Sequence, residues 1–269
     1  MVSISFLGSG KMAEAIVKGL LEAKAAKPSD ITVSDMSEDR LNIMKDKYKV
    51  SVAESNKQAV KNSEVVFLSV KPQDMYSLLQ EIKGVSTKDK LFISIAAGIR
   101  ISAIESVIAG RVVRVMPNLP CLVQEMAGAY ATGNSAKKED SKTVELLLGS
   151  CGLCINVEEK HLDAVTALSG SGPAYAAYII NALAEAGESQ GLDRETARML
   201  SVQTIFGTAK YILNKGVSPD ELISLVKSPK GTTVEGMKVI EKSEIKDVLL
   251  RAVEAAAKRS RELGENGKC

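Results

Sequence analysis

Gly8-Ser9-Gly10-Lys11-Met12-Ala13 constrains this chain more than any other stretch. It follows the apolar run Val2 to Leu7 without a spacer and leads into Lys11 to Ala25, whose apolar residues recur at helical spacing. A G-x-G-x-x-A sequence between strand and helix has a physical purpose. The glycines permit a tight turn and close backbone approach, so that amides at the helix N-terminus can face a pyrophosphate. Its place in the first βαβ unit predicts dinucleotide binding. The alternative is a glycine turn that only packs helix on sheet.

The residues that follow alternate β-rich runs with helical ones. Strands are expected at Val2 to Leu7, Ile31 to Ser34, Val65 to Val70, Leu91 to Ile95 and Arg111 to Met116, with helices at Lys11 to Ala25, Glu38 to Lys47 and Gln73 to Ile82. Several of these strands are apolar on both faces, as in a parallel sheet covered on both sides. Ala127 to Ala131, a helix near Lys137 to Leu148 and Leu153 to Val157 extend the sheet. After Glu158 the strand signal ends. The fold class is therefore α/β: a Rossmann-type dinucleotide-binding domain over 1–160, then an all-helical dimerisation and substrate domain over 161–269. In the second part, Asp193 is a plausible N-cap and Ser218-Pro219-Asp220-Glu221 a capping box. Ile245, Val248, Leu249, Ala252, Val253 and Ala256 have the spacing of a buried stripe. Ala174 to Ala186 and Val202 to Leu213 are apolar over more than one stripe, so a partner subunit is expected there.

Composition excludes several classes. Lys and Arg total 35 against 33 acidic residues, with no basic stripe interleaved with aromatics, which argues against nucleic acid. Aromatics are only 4% and Trp is absent, so stacking platforms are scarce. No signal peptide is evident, and no apolar run reaches the ~18 residues of a membrane span, so a soluble, cytoplasmic protein is expected. Four cysteines, at 121, 151, 154 and 269, are then free thiols. Cys151 and Cys154 form a C-x-x-C, but it follows a helix and precedes a strand, the reverse of a thioredoxin-type motif, and no metal site is expected.

Candidate ligand residues gather at the carboxyl ends of the strands. Asp35 ends the second strand, where an acid accepts hydrogen bonds from an adenosine ribose and repels a 2′-phosphate; an acid near the start of the next helix is the plainer alternative. Ser34 and Ser37 stand beside it as the phosphate contacts should Asp35 face away. Val70-Lys71-Pro72, Ala96-Ala97-Gly98 and Met116-Pro117-Asn118 leave further strands at the same edge, each also readable as ordinary turn chemistry. In the second half, Leu168 to Tyr175 and Ser228-Pro229-Lys230-Gly231-Thr232-Thr233 put hydroxyls and glycine at helix starts, a good seat for a carboxylate, although capping alone explains them too. His161 is the only histidine and reads as a surface residue. No lysine occurs between Lys160 and Lys210, whereas hydroxyacid dehydrogenases of similar two-domain plan place a catalytic lysine on the interdomain helix. A cyclic imine needs less help than a carbonyl, because it can enter already protonated.

These motifs, in this order and along the whole chain, resemble the pyrroline-5-carboxylate reductase family. The resemblance rests on the glycine turn with Lys11-Met12-Ala13, Asn56, Val70-Lys71-Pro72, Ala96-Ala97-Gly98, Val115 to Asn118, Leu168 to Tyr175, Ser228 to Thr233 and the closing Ala255 to Leu263. It implies hydride transfer from NADPH or NADH to the imine carbon of 1-pyrroline-5-carboxylate, giving L-proline. It also implies a homodimer or higher oligomer, with a cleft between the first domain of one subunit and the second domain of its partner. The cofactor would lie against Gly8, Ser9, Gly10, Lys11, Met12, Ser34, Asp35, Asn56, Val70, Lys71, Pro72, Ala96, Ala97, Gly98, Met116, Pro117 and Asn118. Thr233 would serve the ring nitrogen as the catalytic hydroxyl. Ser228, Lys230, Gly231 and the amides of Thr232 and Thr233 would hold the carboxylate. The chain departs from the family at Leu119, where Thr is usual, and at Gln124 and Lys230, where glycine is usual; glycine accepts a positive φ that other residues adopt at a cost. A reductase of another cyclic imino acid and a non-catalytic dinucleotide sensor remain the alternatives.

Overall fold

A computed structural model of the chain describes residues 2–266; Cys269 lies outside them. The strands are β1 (Ile4–Leu7), β2 (Ile31–Ser34), β3 (Ser51–Val52), β4 (Val65–Leu68), β5 (Leu91–Ser94), β6 (Arg111–Met116), β7 (Met126–Thr132) and β8 (Gly152–Asn156). They form one sheet in the order β3-β2-β1-β4-β5-β6-β7-β8. The first six are parallel, β7 runs antiparallel to β6, and β8 runs parallel to β7. Helices α1 (Lys11–Glu22), α2 (Glu38–Tyr48), α3 (Asn56–Lys61), α4 (Met75–Ile82), α5 (Ile101–Glu105), α6 (Lys138–Gly149) and α7 (Leu162–Val165) make the crossovers and cover the faces.

Residues of β1 and β4 are buried on both sides of the sheet, as a doubly covered parallel sheet requires. Phe6 and Phe67 belong to the cluster that includes Ile16 and Leu20 of α1, and their rings stack at 4.4 Å. Leu7 and Leu68, one residue on in each strand, belong to the opposite cluster with Leu79 of α4 and Ile104 of α5. The period of two along each strand thus feeds two cores. Gly19 is needed in the middle of α1 because a Cβ there would lie 2.5 Å from the sulfur of Cys151. Cys121 and Cys151 are fully buried, and burial pushes the Cys154 thiol up to about 12, which keeps it a thiol at neutral pH.

The second half is helical: α8 (Gly172–Ser189), α9 (Arg194–Lys215), α10 (Pro219–Val226), α11 (Thr232–Lys242) and α12 (Ile245–Asn266). Asp193 caps α9 by accepting from Thr196 N, and Ser218 with Glu221 forms the capping box of α10. The chain divides into two compact units, Met1–Ser171 with Val253–Cys269, and Gly172–Ala252. The division falls eleven residues after the expected 160/161 boundary, and the later turns of α12 count with the sheet. Within the first unit Ser260 Oγ donates to Asp163 Oδ1 at 2.6 Å, and Gly264 rests on Gly98. The stripe on α12 is present but uncovered at its start: Ile245, Val248 and Leu249 are exposed.

Candidate functional site

At the carboxyl ends of β1, β2 and β4 the sheet opens into a cleft of about 510 Å³. Gly8 makes the turn from β1 with φ +95°, and a Cβ there would stand 2.7 Å from the carbonyl oxygen of Ser69. Only glycine satisfies both demands. Gly8 N donates to Ser34 O, and the Ser69 hydroxyl lies 2.6 Å from Gly8 O, so the turn is tied to both neighbouring strands. Gly10 then stands at the N-cap of α1, where a Cβ would meet open space and no side chain caps the first amides. The amides and the helix dipole together suit an anion.

Asp35 sits half-buried just past β2. Its Oδ2 accepts from Ser9 N at 2.6 Å and Ser9 Oγ at 3.0 Å, and its Oδ1 accepts from Ser37 N at 2.9 Å. Burial opposes the charge, but the hydrogen bonds from Ser9 and Ser37 outweigh it and hold the carboxyl below its ordinary range. Asp35 thus braces the glycine turn through Ser9 and the start of α2 through Ser37, and it also lines the cleft. Arg40, one helical turn on, donates from Nε to Ser9 O at 2.7 Å and from Nη2 to Glu14 at 2.8 Å. Glu14 also accepts from Tyr48 and Lys47.

Of the residues expected along this edge, Gly8, Gly10, Ser34, Asp35, Ser37, Asn56, Val70 and Lys71 line the cleft. Ser9 is fully buried, its hydroxyl spent on Asp35, while Lys11 is exposed and Met12 packs on the core. Pro72 begins the short turn before α4. Ala96, Ala97 and Gly98 leave β5, with Gly98 at φ +78°. Met116, Pro117 and Asn118 leave β6. The Asn118 amide is committed on both sides: Nδ2 donates to Ser169 O and Oδ1 accepts from Ala127 N, each at 3.0 Å. Sequence reasoning missed Met36, Ser69, Asp74, Ser77, Leu78 and Glu81, which complete the lining. Four of them had a signal, since Asp74, Ser77, Leu78 and Glu81 follow the i, i+3, i+4, i+7 spacing of one helix face.

In the helical unit, Ser228 to Thr233 forms a turn closed by Gly231 N donating to Ser228 O at 2.9 Å, after which α11 begins. A Cβ on Gly231 would lie 2.3 Å from Ser228 Oγ, which packs the Ser228 hydroxyl over the turn. No side chain caps α11, and the exposed Thr232 and half-buried Thr233 are its first residues. Lys230 adopts φ +60° and Gln124 φ +57°, so both departures from glycine fall in the left-handed region. The segment Thr166–Gly170 is a π-helical turn whose Ser169 hydroxyl donates to Val165 O, with Ser171 Oγ 3.3 Å from Thr166 O. Those hydroxyls bond backbone there. His161 is exposed.

Comparison with known proteins agrees with this geometry. The family described as pyrroline-5-carboxylate reductase dimerisation matches residues 159–263, and NADP oxidoreductase coenzyme F420-dependent matches residues 3–98. A pyrroline-5-carboxylate reductase of Methanosarcina acetivorans is 40% identical over 264 residues, covering 97% of this chain and 98% of its own. The structure of one from Coxiella burnetii superposes with a TM-score of 0.94 at 37% identity, covering 97% and 98% of the two chains. That of a Plasmodium falciparum pyrroline carboxylate reductase with NADP bound gives 0.86 at 31% identity, covering 98% of each. Identity at this level over nearly the whole of both chains places the protein in a family: this chain belongs to the pyrroline-5-carboxylate reductases.

Proposed function

We infer that the protein reduces 1-pyrroline-5-carboxylate to L-proline with NAD(P)H, as a homo-oligomer. One observation carries the reading: the relatives named for this reaction match the chain from the glycine turn through the loop before α11. The cleft fits a dinucleotide by its own geometry, with a cradle at Gly8 that a Cβ would fill and uncapped amides at the start of α1. When bound, the reduced nicotinamide supplies hydride to the imine carbon. Gly8, Gly10 and the first amides of α1 would hold the dinucleotide's pyrophosphate, and Val70, Lys71, Ala96, Ala97, Gly98, Met116, Pro117 and Asn118 are the residues at the same edge that would serve the rest.

The helical unit supplies the substrate groups. Ser228 and the uncapped amides of Thr232 and Thr233 seat the carboxylate, where the α11 dipole favours negative charge. The Thr233 hydroxyl hydrogen-bonds the ring nitrogen and relays a proton to it as hydride adds to the carbon, regaining that proton from solvent, so that C=N becomes CH–NH. A positioned hydroxyl suffices because the imine is a stronger base than a carbonyl.

The apolar surface of α8 and α9 supports the oligomer: Tyr178, Val202, Phe206 and Leu213 are exposed in the single chain. Among the described residues no helix is long and apolar enough to cross a membrane. The deciding assay follows NADH and NADPH absorbance separately on adding 1-pyrroline-5-carboxylate, with the six-membered imino acid as the competing substrate. Loss of absorbance only with the six-membered ring would transfer the activity to the alternative reductase, and no loss with either would favour a sensor. Thr233→Ala should lower kcat by about 10²-fold, the low end for a positioned proton donor. Ser228→Ala should chiefly raise KM, since its contact is the same in ground and transition states.

A further inference from the structure

We propose that the cleft selects NADH over NADPH, because its lining sets three carboxylates against one ammonium while Arg40 and the Asn56 amide are engaged by other groups of the protein. The inference rests on the dinucleotide reading above and specifies which ribose that site takes. A phosphate dianion only accepts hydrogen bonds and calls for cations. A ribose diol brings hydroxyl protons and calls for acceptors.

The groups near the end of β2 are set for the diol. Ser37 N–H, just before α2, donates to Asp35 Oδ1, and the Ser37 hydroxyl accepts from Arg40 N. The Arg40 guanidinium is drawn to Ser9 O and to Glu14. Asn56 Nδ2 donates to Glu81 Oε2 at 2.8 Å. A carboxylate can only accept, so this bond fixes which way the Asn56 amide faces. What the lining adds is acceptors: the carboxylates of Asp35, Asp74 and Glu81 stand against the single ammonium of Lys71. Glu38 and Asp39, in the first turn of α2, extend the negative field beyond the cleft. Asp35 cannot swing aside without abandoning two donors of the glycine turn and one at the start of α2.

Thus the discrimination is built from Asp35 with Glu81, and Arg40 is withheld from the ligand by Glu14. Like charges across a few ångströms repel strongly where solvent is partly excluded, and the effect falls with ionic strength.

The test is binding, measured without turnover. Dissociation constants of NADH and NADPH come from nicotinamide fluorescence, and those of 5′-AMP and adenosine 2′,5′-bisphosphate from calorimetry, at low and high salt. NADH should bind at least about tenfold more tightly than NADPH, the monophosphate should beat the bisphosphate, and both gaps should narrow in salt. Glu81→Gln and Asp35→Asn should each narrow the gap at low salt; Glu81 is exposed, so its variant keeps the fold even if Asp35→Asn loosens the glycine turn. Equal or tighter binding of the 2′-phosphorylated ligands to the unmodified protein would overturn the proposal and leave the reductase reading intact. Failure of both dinucleotides to bind would overturn the two together.

Discussion

The two units of the chain solve the problem of hydrophobic burial differently. In the sheet unit Phe6, Phe67, Phe92 and Tyr130 are all fully enclosed within one copy of the chain. In Gly172–Ala252, which is as rich in long apolar side chains, the buried hydrophobics among the described residues are Ala184 and Ala197 alone. Tyr178, Leu213 and Val239 are more than two-thirds exposed there. A helix pair that leaves such side chains in water has gained little from burial, at roughly 25 cal/mol per Å². The sheet unit is complete as a monomer. The helical unit, which overlaps the stretch matched by the pyrroline-5-carboxylate reductase dimerisation family, leaves its apolar faces open in the single chain.

The sharpest way to break that contrast is to charge the helical surface. Val202→Glu with Phe206→Glu, one turn apart on α9, should raise the dissociation constant of the oligomer at least about a hundredfold, ~2.7 kcal/mol. Circular dichroism should then show loss of helix while the sheet persists. A monomeric double variant with full helicity and full activity, seen by sedimentation, would mean that α9 is not the covered face. Phe67→Ala probes the other unit. Removing one ring of the stacked Phe6–Phe67 pair should cost about 3–5 kcal/mol, read by urea unfolding, with the midpoint independent of protein concentration when only the sheet transition is followed.

The smallest expected effects compare the two left-handed residues. Gln124→Gly, in the sheet unit, relieves its positive φ and also removes an Nε2 atom that is buried without a hydrogen-bond partner. It should stabilise by about 1 kcal/mol after the entropic cost of glycine. Lys230→Gly removes only the φ penalty and should gain less than about 1 kcal/mol. Thermal shifts on the two variants give the ranking. A rise in KM for Lys230→Gly would add a substrate contact to the side chain.

The sheet unit was also the more legible from the amino-acid sequence. Its strands carry apolar residues between turn residues, and seven of the eight were visible to within two residues at either end. Ser51–Val52 was not, because a two-residue exposed edge strand has no period to read. The glycine turn and Asp35 were legible because their chemistry is local. The bracing of Asp35 by Ser9, the Asn56–Glu81 bond and the anchoring of Asn118 join residues far apart in sequence, and no local pattern encodes them. In the helical unit the apolar stripes were readable but their burial was not. A period of 3.6 specifies a face without specifying what covers it, and the start of α12 stays exposed in one chain.

The return of α12 to the sheet unit has a consequence for the order of folding. Gly264 sits close enough to Gly98 that a Cβ on it would stand 2.9 Å from Gly98 O, and Ser260 reaches back 97 positions to Asp163. The strands can assemble while the rest of the chain is still being synthesised, since domains form from the N-terminal end on the ribosome. The turn after β5 waits longer. Its last neighbour arrives only when some 160 further residues have been translated, and loop closure over that separation is slow compared with any contact inside the sheet. In a nascent chain the turn after β5 is therefore the last part of the sheet unit to gain its neighbours, after α8 to α11 have been translated.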